Sequence, residues 1–244
     1  MRVALIGYGK MGHAIERFLI ERGHDITCRI DAGNQDDFAS EAFRSSDVAI
    51  EFTCPASAVG NYASAFSAGV PVVSGTTGWL ANLDLVKAMI DEKGAALFWS
   101  SNFSIGVNLF MRVNSYLARI MNGFPQYAPA MKEIHHIHKL DHPSGTAITL
   151  AEGVIAANGR ITRWEEPETG ETAPDVLPIA HEREGEVPGT HIISWTSPVD
   201  SITIEHRAFS RDGFALGAVI AAEWVAAHPE ARGLLGMDCL MPEL

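Results

Sequence analysis

The opening stretch of the chain, MRVALIGYGKMG, restricts the fold more than any other, because it sets three glycines between an apolar strand and a helix. Arg2 to Ile6 have the composition of a buried strand, and His13 to Arg22 have helical spacing. The glycines form the pattern G-x-G-x-x-G. In that pattern the first glycine permits a tight turn, the second admits a diphosphate, and the third lets helix and strand pack closely. The stretch therefore predicts a dinucleotide-binding loop, with a purely structural turn as the alternative.

A carboxylate follows the second predicted strand, where domains of this kind contact the adenosine ribose. The strand HDITCRID ends at Asp31, which lies 22 residues after Gly9. A carboxylate there accepts hydrogen bonds from the ribose hydroxyls and repels the 2′-phosphate of NADPH. We therefore expect NADH as the preferred cofactor, with NADPH as the alternative. Arg29 favours NADPH, but it precedes the end of the strand and carries less weight.

Strands and helices continue to alternate through the first hundred residues. DVAIEFT, VPVVSGTTG and AALFWSSN are predicted strands, with helices over Ser57–Ala68 and Leu83–Glu92. This alternation indicates βαβ units and a parallel sheet. Ligands of such sheets bind beyond the carboxyl ends of the strands, although each of the two later loops is also compatible with a simple turn. The predicted cofactor-binding residues are Gly7, Tyr8, Gly9, Lys10, Met11, Gly12, Asp31, Gly75, Thr76, Thr77, Ser100, Ser101, Asn102 and Phe103.

The pattern changes after Asn102 to that of a mixed α+β region with an open sheet. A Pro-, Gly- and Glu-rich stretch up to Gly189 is predicted to form loops and edge strands. The other predicted elements are a long amphipathic helix in GVNLFMRVNSYLARIMNG, an extended segment in PQYAPAMKEIHHIHK, a helix over Ser144–Gly159, a pair of strands in HIISWTSPVDSITIEHRAF, and a closing apolar helix in GFALGAVIAAEWVAAH.

Composition narrows the class of partner. The 244 residues carry a formal net charge of -12, which argues against binding to nucleic acid or to an anionic membrane. The three cysteines, Cys28, Cys54 and Cys239, form no CxxC pair, so a reducing cytoplasm is the expected location. We see neither a signal peptide at the start nor an apolar run long enough to span a bilayer.

The stretch EIHHIHKLDHPSGTA, from Glu133 to Ala147, concentrates groups that handle protons. It contains four of the ten histidines, so imidazole chemistry is centred here. If the stretch is a strand as far as residue 140, alternation places Glu133, His135, Ile137 and Lys139 on one face. The imidazole of His135 and the ammonium group of Lys139 would then reach one substrate from two points.

A helix start follows the histidines. Ser144 is a good N-cap, so the backbone N–H groups of Gly145 and Thr146 would face outward at the positive end of a helix. Such a position suits a carboxylate. Together with the imidazoles and the ammonium group, it fits a small dianion and the delivery of protons to it.

Two alternatives compete with this interpretation of the stretch. His136 and His138, with Asp141 and His142, have side chains that ligate zinc in other proteins. No cysteine lies nearby and no His-Glu-x-x-His helix is present, so we expect no metal. The other alternative is a polar loop with a purely structural role.

The same stretch resembles the E-x-H-H-x-x-K-x-D-x-P-S-G-T-A signature of the dihydrodipicolinate reductase family. GYGKMG, EFTCP, GTTG, SNFSIGVN, GTH and IEHRAFSRDGFALGA extend the resemblance over nearly the whole chain. The chain is similar to the shorter members, with a compact region between Gly159 and Gly189. It departs from the family at His142, where many members have alanine.

The resemblance implies hydride transfer from NADH or NADPH to the conjugated imine of a cyclic dicarboxylate, giving tetrahydrodipicolinate on the diaminopimelate route to lysine. It implies that His135 and Lys139 are catalytic, with His135 as a proton donor or acceptor and Lys139 as a proton donor, and that His136, Gly145 and Thr146 bind substrate. It also implies a Rossmann-like dinucleotide-binding domain at 1–103 plus 212–244, and a mixed α+β domain at 104–211 for substrate binding and tetramerisation. The expected assembly is a homotetramer.

Two other functions remain open at this point. One is a different NAD(P)-dependent dehydrogenase, of the aspartate or homoserine type, which would not be expected to carry the His-His-x-x-Lys and Ser-Gly-Thr run. The other is a non-catalytic regulator that senses NAD(H), which would need the dinucleotide loop but no acid–base residues.

Overall fold

The structure is a computed structural model, and it describes residues 1–167 and 172–241. Two compact units are present: the first comprises Met1–Ile105 and the chain from Asp212 onward, and the second comprises Gly106–Arg211. The first contains a parallel sheet and the second a mixed sheet, so the predicted α/β fold class is confirmed. Residues 168–171 of the predicted loop region and the last three residues of the predicted first domain lie outside the described residues.

The elements are numbered in chain order. The strands are β1 (Arg2–Ile6), β2 (Asp25–Ile30), β3 (Val48–Glu51), β4 (Val72–Ser74), β5 (Ala96–Trp99), β6 (Ala128–His135), β7 (Arg163–Glu165), β8 (Val176–Arg183), β9 (Thr190–Thr196), β10 (Ser201–Arg207) and β11 (Gly233–Leu235). The helices are α1 (Lys10–Glu21), α2 (Glu41–Arg44), α3 (Pro55–Ser67), α4 (Leu83–Lys93), α5 (Ile105–Met121), α6 (Gly145–Ala157) and α7 (Asp212–Ala227).

The first unit is a parallel sheet in the order β11-β5-β4-β3-β1-β2. Strands β1, β3 and β4 are almost wholly buried, as expected where helices cover both faces of a parallel sheet. One face packs against α1 and α7, and the other against α3 and α4. Gly217 of α7 is required for this packing, because a Cβ there would lie 1.7 Å from the carbonyl oxygen of Phe103.

The end of the first unit differs from the prediction. The apolar helix α7 is present, but β11 follows it and pairs in parallel with β5. A segment of three residues has too few positions to show an alternating pattern. Gly233–Leu235 is a strand because it hydrogen-bonds to the open edge of β5. The sequence around residue 233 does not indicate this partner, which lies far away along the chain.

The second unit is a mixed sheet in the order β10-β9-β6-β8-β7. Strand β6 is central, with β9 antiparallel on one side and β8 parallel on the other. Helices α5 and α6 contribute buried side chains to one core with this sheet. Among the described helices of the whole chain, none has the length and apolar character needed to cross a membrane.

Two predictions for the second unit were wrong. The region assigned to loops and edge strands contains β8, an interior strand whose Val176, Leu177 and Ile179 are buried. The prolines and charged residues of this region made it look like loops, so the burial of β8 was not predicted from the sequence. The extended histidine segment also ends at His135 instead of continuing to residue 140. A turn follows, closed by a 3.1 Å hydrogen bond from the Lys139 N–H to the His136 carbonyl.

Candidate active site

The glycine loop has the geometry that its spacing predicts. Gly7 has φ of +90°, and a Cβ there would lie 2.1 Å from the Phe52 carbonyl oxygen. A Cβ at Gly12 would lie 2.4 Å from the Gly7 carbonyl oxygen, so both glycines are needed for packing. A Cβ at Gly9 would meet nothing within 4 Å. Gly9 begins α1 without a side-chain cap, so the positive end of the helix faces open space that fits a diphosphate.

Asp31 directly follows β2 and lies against the glycine loop. One carboxylate oxygen accepts a 3.2 Å hydrogen bond from the Tyr8 N–H, and the other a 2.8 Å hydrogen bond from the Ala32 N–H. The residue is exposed, and each oxygen keeps acceptor capacity for a ribose hydroxyl. Arg29 is paired elsewhere: its guanidinium hydrogen-bonds to Glu16 and lies 5.5 Å from the centre of the Tyr8 ring.

The loop after β4 has a structural part and an exposed part. A Cβ at Gly75 would lie 2.1 Å from the Phe52 ring. Thr76 is only 4% exposed, and its hydroxyl accepts a 2.8 Å hydrogen bond from the Thr53 N–H. Thr77 is exposed. Among the side chains of this loop, Thr76 therefore holds the loop in shape while Thr77 faces outward.

The remaining predicted cofactor residues also include some that hold the structure and some that are exposed. Ser100 bonds to the backbone of Asn102 through both its donor and its acceptor, with distances of 2.9 and 3.1 Å. Ser101 is exposed, and Phe103 belongs to the buried core. In the first turn of α1, Lys10 is exposed and Met11 packs against that core.

All of these loops leave the carboxyl edge of one sheet, because they follow the ends of β1, β2, β4 and β5. The exit of β3 lies between them and was not predicted to bind the cofactor. Phe52 contacts both the glycine loop and the loop after β4. The motif EFTCP, which contains Phe52, could have indicated this role. A cavity of about 310 Å³ lies at the opposite, amino edge, beside Asp47, Gly94 and Arg232. It is thus remote from the dinucleotide loops.

In the second unit, the end of β6 surrounds a buried carboxylate. Glu133 is fully buried, and its oxygens accept the Ser144 N–H at 3.1 and 3.2 Å. Its Oε2 lies 3.5 Å from Nδ1 of His135 and 3.8 Å from Nε2 of His191. Its Oε1 lies 3.6 Å from the Arg183 guanidinium. The Ser144 N–H thus donates to the desolvated carboxylate, and two imidazoles and a guanidinium surround its charge at 3.5–3.8 Å.

Burial controls the charge of the two imidazoles. It lowers the pKa of His135, an effect that Glu133 opposes and that Lys139 and Arg183 reinforce. Burial lowers the pKa of His191 to about 4, reinforced by His135. The rings lie edge to face with centroids 5.2 Å apart. His191 is therefore neutral at neutral pH, and burial also favours the neutral form of His135.

Lys139 occupies the turn that follows β6, where Asp141 accepts hydrogen bonds from its ammonium group at 2.7 and 2.8 Å. This contact lowers the pKa of Asp141. Arg183 on β8 holds the turn, since its guanidinium donates to the Lys139 carbonyl at 3.2 Å and to the Asp141 carbonyl at 2.8 Å. The position of Lys139 therefore depends on a neighbouring strand, and the predicted strand alternation does not set it.

The helix start has the predicted capping geometry. The Ser144 hydroxyl accepts the Ala147 N–H at 3.1 Å. The N–H groups of Gly145 and Thr146 have no acceptor among the described residues, and a Cβ at Gly145 would meet open space. His136, the other predicted substrate residue, lies just beyond β6, with Nε2 3.5 Å from the Arg211 guanidinium.

The zinc ligands considered in the sequence analysis do not converge. Glu186 pairs with His138, Lys139 with Asp141, and Glu166 with His142. Across the described parts of the chain, the groups of three metal-ligating side chains are Glu133–His135–His191 and His142–Glu166–His181. The first contains the predicted catalytic histidine, and Arg183 beside it disfavours a divalent cation.

Sequence reasoning missed four residues of this cluster: Glu133, Arg183, Gly189 and His191. A Cβ at Gly189 would lie 3.1 Å from Nε2 of His135, so this glycine leaves room for the ring. Glu133 could have been predicted, because strand alternation places it on the same face as His135. Gly189 and His191 could have been predicted from the GTH motif, which contains both. No signal identified Arg183, because β8 itself was missed.

The fold and the loop geometry of the first unit are those of a dinucleotide-binding domain, and the second unit carries a buried cluster of ionisable side chains. The model of the dihydrodipicolinate reductase N-terminus matches residues 1–103, and that of the C-terminus matches residues 106–241. The chain therefore belongs to the dihydrodipicolinate reductase family, and the resemblance seen in its motifs is confirmed.

Individual relatives agree with this membership. The chain is 43% identical to the 4-hydroxy-tetrahydrodipicolinate reductase of Christiangramia forsetii, with 100% of this chain and 99% of that protein covered. It is 37% identical to the enzyme of the same name from Methanopyrus kandleri, over 76% of this chain and 68% of that protein. Dipicolinate-bound dihydrodipicolinate reductase from Paenisporosarcina sp. TG-14 shares the fold, with a TM-score of 0.78, 20% identity and 99% of both chains covered.

Proposed function

We propose that the chain is a 4-hydroxy-tetrahydrodipicolinate reductase, which uses NADH or NADPH to form tetrahydrodipicolinate in the diaminopimelate route of lysine biosynthesis. The observation that carries the proposal is the acid–base cluster at the end of β6, beside the start of α6, where the Gly145 and Thr146 N–H groups have no acceptor among the described residues. The full-length identity to a reductase of this name supports the same substrate. A cytoplasmic location fits such an activity.

The substrate is a dicarboxylate, and the start of α6 is suited to one of its carboxylates. The N–H groups of Gly145 and Thr146 lack acceptors among the described residues and lie at the positive end of the helix. We assign His136 to substrate binding as well. The ammonium group of Lys139 neutralises substrate charge once it exchanges its contact with Asp141 for a contact with the substrate.

Proton delivery falls to His135 and Lys139. Reduction of a conjugated C=C–C=N system requires hydride at one end and a proton at the other. Burial lowers the pKa of His135, whereas a bound dianion favours its protonated form. Protonated His135 is therefore favoured when the substrate is present. Glu133 acts as a positioning residue, because its carboxylate faces Nδ1 and leaves Nε2 for the reaction.

The dinucleotide, when bound, supplies the hydride. The residues that would hold it fit the group: Gly9 leaves space at the α1 N-terminus, Asp31 presents acceptors for the ribose, and Thr77 and Ser101 are exposed. We propose NADH as the preferred form, because Asp31 would repel a 2′-phosphate and Arg29 is already paired with Glu16. We propose that all the residues predicted to bind the cofactor, from Gly7 to Phe103, form its site.

We assign dinucleotide binding to 1–103 plus 212–244, and substrate binding and tetramerisation to 104–211. An apolar stripe on the second unit supports a homotetramer. Five side chains spaced along one face of α5 and its end are between 41% and 48% exposed: Leu109, Val113, Tyr116, Ile120 and Phe124. Strand β10 also leaves one edge of its sheet unpaired among the described strands. Light scattering at several protein concentrations tests this assembly.

The test of the activity is the loss of nicotinamide absorbance with substrate prepared in situ by the synthase that precedes the reductase. We expect rapid loss that depends on the synthase product. Loss with aspartate semialdehyde alone, or a gain of absorbance from NAD⁺ or NADP⁺ with homoserine, would favour a dehydrogenase of the other type. Tight NADH binding without any turnover would favour a non-catalytic sensor.

A further inference from the structure

Three side chains outside the acid–base cluster converge on the second unit: His142, Glu166 and His181. His142 lies shortly before α6, Glu166 directly follows β7, and His181 lies on β8. Because β7 and β8 are hydrogen-bonded neighbours, the carboxylate of Glu166 is within reach of the His181 imidazole. Imidazole and carboxylate are the ligands that divalent transition metals such as Zn²⁺ accept.

The ligand groups of these three side chains lie close together. Nδ1 of His142 lies 3.1 Å from both carboxylate oxygens of Glu166, and Nδ1 of His181 lies 2.9 Å from Oε1. The imidazole rings stack with centroids 4.1 Å apart and planes inclined by 16°. Tetrahedral zinc, at about 2.0–2.2 Å from each ligand, separates its ligand atoms by about 3.3 Å. Small side-chain rotations therefore admit an ion.

The surroundings of His142, Glu166 and His181 suit a metal ion better than those of the buried group at Glu133. Glu133, His135 and His191 lie next to the Arg183 guanidinium, which opposes a divalent cation. The side chains of His142, Glu166 and His181 are 49%, 26% and 36% exposed. An ion can therefore reach them from solvent, and water can complete its coordination.

We propose that His142, Glu166 and His181 bind one divalent transition-metal ion of the Zn²⁺ class. The ion ties the segment before α6 to β7 and β8. His142 is adjacent to Asp141, the residue that accepts both hydrogen bonds from Lys139. The ion lies outside the proposed proton and hydride transfers, so turnover does not require it.

Untagged protein, stripped with a chelator, should be titrated with Co²⁺ and followed by its visible d–d absorption. We expect one Co²⁺ per chain, displaced by Zn²⁺. His142→Ala, Glu166→Gln and His181→Ala should each weaken Co²⁺ binding by at least about tenfold. His138→Ala is the matched control, because His138 and Glu186 form an exposed pair 2.9 Å apart that has no third ligand among the described residues.

Thermal unfolding provides a second measurement. Zn²⁺ should raise the Tm of the wild type, and it should raise that of Glu166→Gln much less. Absence of saturable Co²⁺ binding would overturn the proposal and leave a hydrogen-bonded cluster. Unchanged affinity in all three variants, with NADH turnover as evidence that they fold, would place the ion elsewhere. Loss of binding only in His138→Ala would likewise overturn the site.

Discussion

At the carboxyl edge of the first unit, the residues around the ligand space are mostly glycines and backbone groups. Around the end of β6 in the second unit, they are buried ionisable side chains. The first arrangement needs space and unpaired N–H groups, so it suits a diphosphate. The second has a desolvated carboxylate between two imidazoles and a guanidinium, so it suits the movement of protons. This difference supports our proposal that one unit binds the dinucleotide and the other carries the acid–base chemistry.

Changes to the side chains proposed to deliver protons should show the largest effect. We expect His135→Ala and Lys139→Ala each to lower kcat by about 10²–10⁴-fold, as for positioned proton donors. His138→Ala should be mild, because that side chain is exposed and pairs with Glu186. Steady-state kinetics checks these values. Equal damage from His138→Ala would show that the cluster is wrongly assigned.

The buried imidazole of His191 should make the stability of the second unit sensitive to acid. Its pKa is lowered to about 4 in the folded chain, so the unfolded chain binds more protons below about pH 6.5. Its contribution to stability is complete above that pH and is lost as the pH falls towards 4. We expect it to account for about 2–3 kcal/mol of the free energy of unfolding lost between pH 7 and pH 4.5.

Urea unfolding at both pH values measures this loss. His191→Asn should lose less stability on acidification than the wild type by about that amount. The matched control, His138→Asn, alters an exposed imidazole and should follow the wild type. If both variants follow the wild type, burial of His191 does not govern the acid response.

Glu133→Gln should have an intermediate effect, because it keeps the shape of the side chain and removes its charge. We expect kcat to fall about 10–100-fold, the usual scale for a group that orients a catalytic residue. Glu133 raises the pKa of His135, and a proton donor is lost as the pH rises through its pKa, so removal of Glu133 should also move the alkaline limb of the pH–rate profile to lower pH. Glu182→Gln, on an exposed side chain paired with Lys132, is the control. A lower rate with an unmoved profile would reduce Glu133 to a structural role.

Asp31→Ala should have the smallest effect. We expect the ratio of kcat/KM for NADH to that for NADPH to fall less than about tenfold, because the change removes ribose contacts and relieves repulsion of the phosphate. Asp36→Ala removes the same charge from an exposed position in the same loop and should leave the ratio unchanged. An unchanged ratio in Asp31→Ala would show that this carboxylate does not meet the ribose.

The two sites also differ in how far the sequence predicts them. The glycine loop and Asp31 are local signals, because glycine spacing and a strand end fix their geometry. The capping of α6 by Ser144 is local in the same sense and is confirmed. The surroundings of His135 come from three strands, and the sequence of β6 alone contains neither β8 nor β9. Arg183 and the turn at Lys139 therefore could not be predicted from periodicity.

The most direct test of this division between the units is the NADH dissociation constant of the His135→Ala, Lys139→Ala double variant, measured by quenching of tryptophan fluorescence. The first unit holds every residue proposed to bind the dinucleotide, and the double variant changes none of them. We predict a dissociation constant within about twofold of the wild-type value, in a variant whose turnover has almost vanished. Loss of NADH binding together with turnover would contradict the assignment of binding and chemistry to separate units.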